Sequence, residues 1–399
     1  MMLARPTLVL AVAAVAASCQ AHVTTAVTLH AIDELYPELE HLPGGRLLGT
    51  ISNAEGRDIV ELPSGDLVVA GAGTCGFVAR LAPTGAKQWL TGLPSCSPGG
   101  ARVAAVDDDT LYASFVDGAT SVVRLDHRGR VAWRVNQPEK YPLVAPIAAT
   151  RELVAVAGRH HVFAVTPDGH LAWQVDLEPD EGKRALVRAI WIAGRVVVAL
   201  FERDTGSALL GFDAATGARA WQIVLPGDDP PDWLTDPGRF AVSPTAGVFA
   251  VRAARGKDTG WTITELDPRT GATGWQRWLD ERSADQAVLQ QARYDDVRLA
   301  LRLELANDGF TWSRDIFVGV DPASGRMLRF AEPELTGDVV NPSYLEFAAF
   351  ALGGRGLLVT GSFYDRLDWE GLRATSPHHR EGAERAEEVT MYFARVPAD

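Results

Sequence analysis

One phrase recurs along this chain and limits what it can become: an apolar strand meets a glycine turn, and a tryptophan follows four residues after the glycine. The copies are Val78-Ala79-Arg80-Leu81 with Gly85 and Trp89, Val122-Val123-Arg124-Leu125 with Gly129 and Trp133, and Val162-Phe163-Ala164-Val165 with Gly169 and Trp173. Two more are Leu209-Leu210-Gly211-Phe212 with Gly217 and Trp221, and Ile263-Thr264-Glu265-Leu266 with Gly271 and Trp275. In a sixth, Phe317-Val318-Gly319-Val320 precedes Gly325, and Arg329 stands at the tryptophan's place. The glycines are 44, 40, 48, 54 and 54 residues apart. Such a period marks an array of units, each too small to bury its apolar face alone.

Turn chemistry explains the recurrence. Asp267-Pro268-Arg269-Thr270-Gly271 and Asp321-Pro322-Ala323-Ser324-Gly325 put a capping carboxylate first, a ring-locked φ second and a residue tolerant of positive φ last. Asp213 to Gly217 has the same form without the proline, and the first three copies are one residue shorter, as tighter hairpins would be. A tryptophan at a constant distance beyond such a turn points to the same face each time, and its expected role is packing on the neighbouring unit.

Two strands precede each phrase. Leu67 to Ala70, Leu153 to Ala157, Val196 to Leu200 and Leu357 to Thr360 are unbroken apolar runs, the pattern of strands covered on both faces. Asp58 to Leu62, Arg102 to Val106, Val187 to Ile192 and Leu345 to Leu352 lie upstream as their partners. Four strands per unit at this period predict an all-β propeller over residues 45–399. The last unit, with Leu345 to Leu352, Leu357 to Phe363 and Met391 to Val396, lacks a fourth strand, while Arg46 to Ile51 belongs to no unit. Pairing that N-terminal strand into the last sheet closes the ring and removes two open edges. Seven blades follow, or eight if residues 22–44 hold a strand pair.

Phe212-Asp213-Ala214-Ala215-Thr216-Gly217-Ala218-Arg219-Ala220-Trp221 resembles the repeat of pyrroloquinoline-quinone-type propellers, the quinoprotein dehydrogenase-like group, and the likeness spans about residues 57–335. The last unit, Thr360-Gly361-Ser362-Phe363 with Leu367-Asp368-Trp369 and Phe393-Ala394-Arg395-Val396, is similar instead to a bacterial cell-surface β-propeller repeat. The resemblance implies a propeller, and its lipid-anchored BamB-like members imply a scaffold as the nearest functional analogy. Enzymes of the group hold a quinone against vicinal cysteines; no two cysteines are adjacent here, so no cofactor-binding or catalytic position carries over.

The first residues read as an address. Arg5 precedes an apolar run, Thr7 to Ala17, that is too short to span a bilayer and has the layout of a secretory signal over residues 1–18. Val15-Ala16-Ala17-Ser18-Cys19 resembles the bacterial lipoprotein signal, in which the cysteine is acylated; Ala16 departs from the leucine usual there. The reading is lipidation at Cys19 and a lipid-anchored segment over 19–44, with ordinary cleavage nearby as the alternative. Cys75 and Cys96 then remain, either as one disulfide in an oxidising compartment or as two separate thiols.

Charge and motifs narrow the chemistry. Fifty-one acidic against 38 basic residues leave a net −13, which disfavours nucleic acid and anionic lipid surfaces as partners. His160-His161 and His378-His379 are adjacent pairs that point to opposite faces of a strand, so no metal site is expected there. Asp107-Asp108-Asp109 lacks the ligand spacing of a calcium loop and reads as a turn. Two stretches leave the repeat: residues 226–238, with Asp228, Asp229, Asp232 and Trp233, and the charged insert 364–389. Both join strands on the same side of the disc, which makes Asp228, Asp229, Asp232 and Trp233 a candidate interaction face. The function these features point to is an exported, non-catalytic interaction or scaffold module at the cell envelope, with an envelope protein or glycan as partner. Binding of a glycan or small ligand at the channel mouth is the alternative, and a quinone-dependent oxidoreductase or hydrolase a more distant one.

Overall fold

The computed structural model describes residues 55–73, 75–94, 100–138, 145–177, 185–203, 206–224 and 260–279, together with the strands given below outside these ranges. Strands β1 (Leu29–Ala31) and β2 (Arg46–Ser52) come first. Six four-stranded sheets follow in chain order. The first holds β3 (Glu55–Glu61), β4 (Leu67–Ala72), β5 (Gly76–Leu81) and β6 (Lys87–Gly92); the second β7 (Ala101–Ala105), β8 (Leu111–Val116), β9 (Ala119–Leu125) and β10 (Val131–Pro138). The third holds β11 (Ile147–Ala149), β12 (Val154–Ala157), β13 (His161–Val165) and β14 (Leu171–Asp176); the fourth β15 (Ala185–Ala193), β16 (Val196–Arg203), β17 (Gly206–Asp213) and β18 (Arg219–Val224). The fifth holds β19 (Phe240–Ser243), β20 (Gly247–Ala254), β21 (Gly260–Leu266) and β22 (Thr273–Leu279); the sixth β23 (Gln286–Tyr294), β24 (Leu299–Ala306), β25 (Ser313–Val320) and β26 (Met327–Ala331). The last sheet is built from β27 (Leu345–Gly353), β28 (Gly356–Phe363) and β31 (Thr390–Val396), and between the latter two β29 (Arg366–Trp369) and β30 (Leu372–Thr375) form a separate hairpin.

Every sheet is an antiparallel meander, and the last is completed from the other end of the chain: its order is β1-β2-β31-β28-β27. Thr50 pairs with Tyr392 and Ile51 with Met391, so the N-terminal strand takes the fourth place, as its missing partner predicted. Among the described residues the segment before it contributes β1 alone, which extends this sheet and makes no eighth blade. The charged insert, whose composition alone favours a solvated loop, forms the β29–β30 hairpin.

The core lies between sheets, not within any one of them. Strands β4, β5, β8, β12 and β13 are buried along their whole length, which is why their sequences run apolar without alternation. Outer strands such as β14 and β18 bury only one face, and their polar residues alternate accordingly. Val68, Ala70, Leu111, Ala113 and Phe115 fill the seam between the first and second sheets, and Tyr112, Val122, Val154 and Phe163 that between the second and third. Innermost strands touch in succession, β3 with β7, β7 with β11, β11 with β15, β15 with β19, β19 with β23 and β23 with β27. Strands β27 and β28 then lie against β3, so the succession returns to the first sheet.

Candidate functional site

The two rims of this array are built differently. One carries the tight turns between the first and second and between the third and fourth strands of each sheet. There the repeated tryptophan reaches into the next sheet. The Trp89 Nε1–H donates to the His127 carbonyl at 3.0 Å, Trp133 to Pro167 at 3.0 Å, Trp173 to Ala214 at 2.8 Å and Trp221 to Pro268 at 2.8 Å. Each indole lies on the glycine of that turn. A Cβ on Gly129 would sit 2.6 Å from Trp89, and one on Gly217 would sit 2.7 Å from Trp173. Both glycines also hold φ near +75°, at 77° and 72°, so the residue type is required twice over. A bulge in the fourth strand precedes each of these tryptophans and sets the indole opposite Arg80, Arg124, Ala164 or Gly211.

The turn carboxylates act as predicted. Asp213 Oδ1 accepts from the Ala215 and Thr216 N–H groups at 3.1 and 3.0 Å, and Asp267 Oδ1 from Arg269 N–H at 2.7 Å. Hydrogen bonds to the ionised form hold these carboxyls below their ordinary range: chiefly from the Thr216 hydroxyl for Asp213 and from the Arg269 amide for Asp267. Asp126 is lowered by the Arg130 amide and Asp168 by the Thr166 hydroxyl.

The Asp107-Asp108-Asp109 turn is a strut. Arg80, 7% exposed, donates Nε–H to Asp66 Oδ2 at 2.8 Å and Nη1–H to the Asp108 carbonyl at 2.6 Å. The Ser64 N–H in turn donates to Asp108 Oδ1 at 3.1 Å, which ties the first sheet to the second. Among the described residues no group of three or more His, Cys, Asp or Glu is placed to hold a metal ion. His161 is buried with its ring 5.6 Å from Phe163, and the His160 carbonyl accepts from Leu177 N–H at 2.7 Å. That pair is embedded in the third sheet.

The other rim carries the connections between second and third strands and from each sheet to the next. Arg134 stands near it on β10, with Nη2 3.1 Å from Asp117 Oδ2, Nε donating to Asn136 Oδ1 at 2.6 Å and Cζ 5.0 Å from the Phe115 centroid. The only sequence signal for this cluster is the Asp117-Gly118 turn itself. Cys75, in the β4–β5 turn on this rim, is 3% exposed and disulfide-bonded. The candidate residues Cys19, Cys96, Asp228, Asp229, Asp232 and Trp233 lie outside the described residues, as does His378-His379. In the sequence, the segments that join second to third strands and each sheet to the next, from residue 53 to residue 389 and with the β29–β30 hairpin included, hold 25 of the chain's 51 acidic residues and 12 of its 38 basic ones. The rest of the chain holds 26 of each, so in the sequence these joining segments account for the net charge of −13.

Antiparallel four-stranded sheets in sequential contact, clasped by a repeated turn and tryptophan, define a β-propeller. Residues 75–232 match the family model described as outer membrane protein assembly factor BamB, a span from the β4–β5 turn to the connection after β18. No curated protein matches the chain. Among solved structures, the crystal structure of BamB from Moraxella catarrhalis is similar at 14% identity and a TM-score of 0.45, covering 84% of this chain and 85% of its own.

Proposed function

We propose that this protein is an exported, non-catalytic propeller that presents its loop-bearing rim to a protein partner at the bacterial cell envelope, held there by lipid on Cys19. The observation that carries the reading is the division of labour between rims. One is spent on indole-to-turn clasps that repeat from sheet to sheet, and the strands at the other are joined by the longer segments, which in the sequence account for the net charge. A rigid frame with variable loops on one side is the usual basis for binding. The match to a family described as an assembly factor of the outer membrane supports a scaffold role and an envelope address.

The disulfide serves the same rim. Phe77 pairs with Gly92, and Leu93 N–H donates to the Gly76 carbonyl at 2.8 Å, so the chain leaves β6 beside Cys75. Cys96 is three residues further on, and we assign it as the partner of Cys75. The bridge would pin two adjacent loops of the presenting rim.

The test is expression of the full chain in a bacterial host with radiolabelled palmitate, followed by cross-linking and affinity recovery from detergent-solubilised membranes. Label on the wild type but not on Cys19→Ala, with one membrane protein recovered by the wild type and lost when Asp228, Asp229 and Asp232 are changed together to Asn, is the expected result. An unlabelled, monomeric protein that recovers nothing overturns the reading.

A further inference from the structure

The clasp is not uniform around the molecule. Four consecutive seams, from the first sheet to the fifth, each hold an indole hydrogen bond and an indole seated on a glycine. The two seams that flank the last sheet are different. In the sixth sheet Gly319 pairs with Leu328, the place that Trp89 takes opposite Arg80, while Arg329 pairs with Val318. The irregularity that precedes the tryptophan in other sheets has moved to Phe317/Val318 here, so the register corrects the expectation that Arg329 replaces the tryptophan. In the last sheet Leu357 pairs with Val396, as Leu67 does with Leu81, and Arg395 pairs with Arg46, which places Arg46 at the clasp position. Neither leucine nor arginine carries an indole.

The last sheet also lacks the turn on which a clasp would close. Its third and fourth strands, β31 and β2, come from opposite ends of the chain, so no Asp-to-Gly turn joins them. Ladder hydrogen bonds tie β2 to β31, from Arg46 with Arg395 to Ser52 with Thr390. Loss of covalent continuity and loss of the indole coincide in one sheet.

We propose that the last sheet is the propeller's opening point and that β1 and β2 form its latch: when the latch leaves β31, the β27–β28–β31 sheet separates from its neighbours while the clasped sheets stay together. Local opening of this kind draws on the least supported cooperative unit of a fold. The inference stands on strand register alone and does not depend on the scaffold role.

Native-state hydrogen exchange on the full chain, read by mass spectrometry, tests it. Amides of β2, β27, β28 and β31 are expected to open as one unit and exchange at least about tenfold faster than those of β4, β5, β12, β13, β16 and β17. Equal protection, or first opening between two clasped sheets, overturns the proposal. Arg46→Trp puts an indole at the register position that Trp89 holds in the first sheet. It should slow opening of the last sheet by roughly threefold to tenfold, the worth of one hydrogen bond; a folded variant with unchanged exchange refutes the clasp assignment. As a second route, Thr50→Cys with Tyr392→Cys joins paired positions of β2 and β31. The oxidised form should suppress the fast exchange and the reduced form restore it, and an oxidised form that opens as before removes the latch.

Discussion

Replacing Gly217 by alanine tests the clasp most sharply, because Gly118 offers an internal control. Both glycines hold positive φ, 72° at Gly217 and 62° at Gly118, so alanine at either site incurs the left-handed strain of about 1–2 kcal/mol. At Gly118 nothing lies within 4 Å of the added Cβ, and the cost ends there. At Gly217 the Cβ would meet Trp173 at 2.7, 2.8 and 3.0 Å, and the indole must move. Moving it strains the 2.8 Å bond to the Ala214 carbonyl, worth about 1 kcal/mol, and loosens a ring that is 8% exposed among Leu153, Val187 and Phe212. Overpacking of this kind adds about 1–3 kcal/mol, so Gly217→Ala should cost about 3–6 kcal/mol in all, against about 1–2 for Gly118→Ala. Urea unfolding followed by far-ultraviolet circular dichroism measures both. In a Trp173→Ala background the additional cost of Gly217→Ala should shrink to the backbone part alone. Equal costs at the two glycines, or an unchanged cost without Trp173, would refute the argument.

Three further outcomes follow from the same geometry. Arg80→Ala should destabilise by about 3–5 kcal/mol, because it strands the Asp66 carboxylate, 12% exposed, without its partner; Asp66→Asn combined with Arg80→Met should recover part of that loss in the same urea assay. Stability should fall as pH drops below about 4: Asp126, Asp168, Asp213 and Asp267 have lowered pKa values in the fold, so their contribution is complete above the unfolded carboxylate value and is lost as pH descends through the folded ones. Asp213→Asn should flatten that dependence, and titration of the thermal midpoint between pH 3 and 6 checks the sign. Peptide mapping without reduction should recover Cys75 joined to Cys96, and Cys75→Ser should cost about 3 kcal/mol for a loop of this length.

Much of the architecture is legible in the sequence because it is local. Asp267 to Gly271 specifies its turn through bonds between residues two to five apart, and the turn is found as read. The unbroken apolar runs at Leu67 and Leu153 announce strands covered on both faces, and those strands are buried throughout. The N-terminal strand's place in the last sheet also follows from counting strands. The candidate site is less legible. The Asp107 to Asp109 run looks like a solvated turn, and only Arg80, 28 residues away, makes it a strut. The charged insert contains a hairpin that its composition hides. Arg329 stands at the tryptophan's distance from its glycine, yet a shifted bulge gives that register position to Leu328.

What the amino-acid order determines alone is therefore the repeat, its turns and the strand count, since each depends on neighbours a few residues apart. Tertiary structure decided where each indole ends: its acceptor carbonyl lies 38, 34, 41 or 47 residues away, in another sheet. The local phrase announces an indole aimed at the neighbouring repeat, and the packing of whole sheets supplies the carbonyl that receives it.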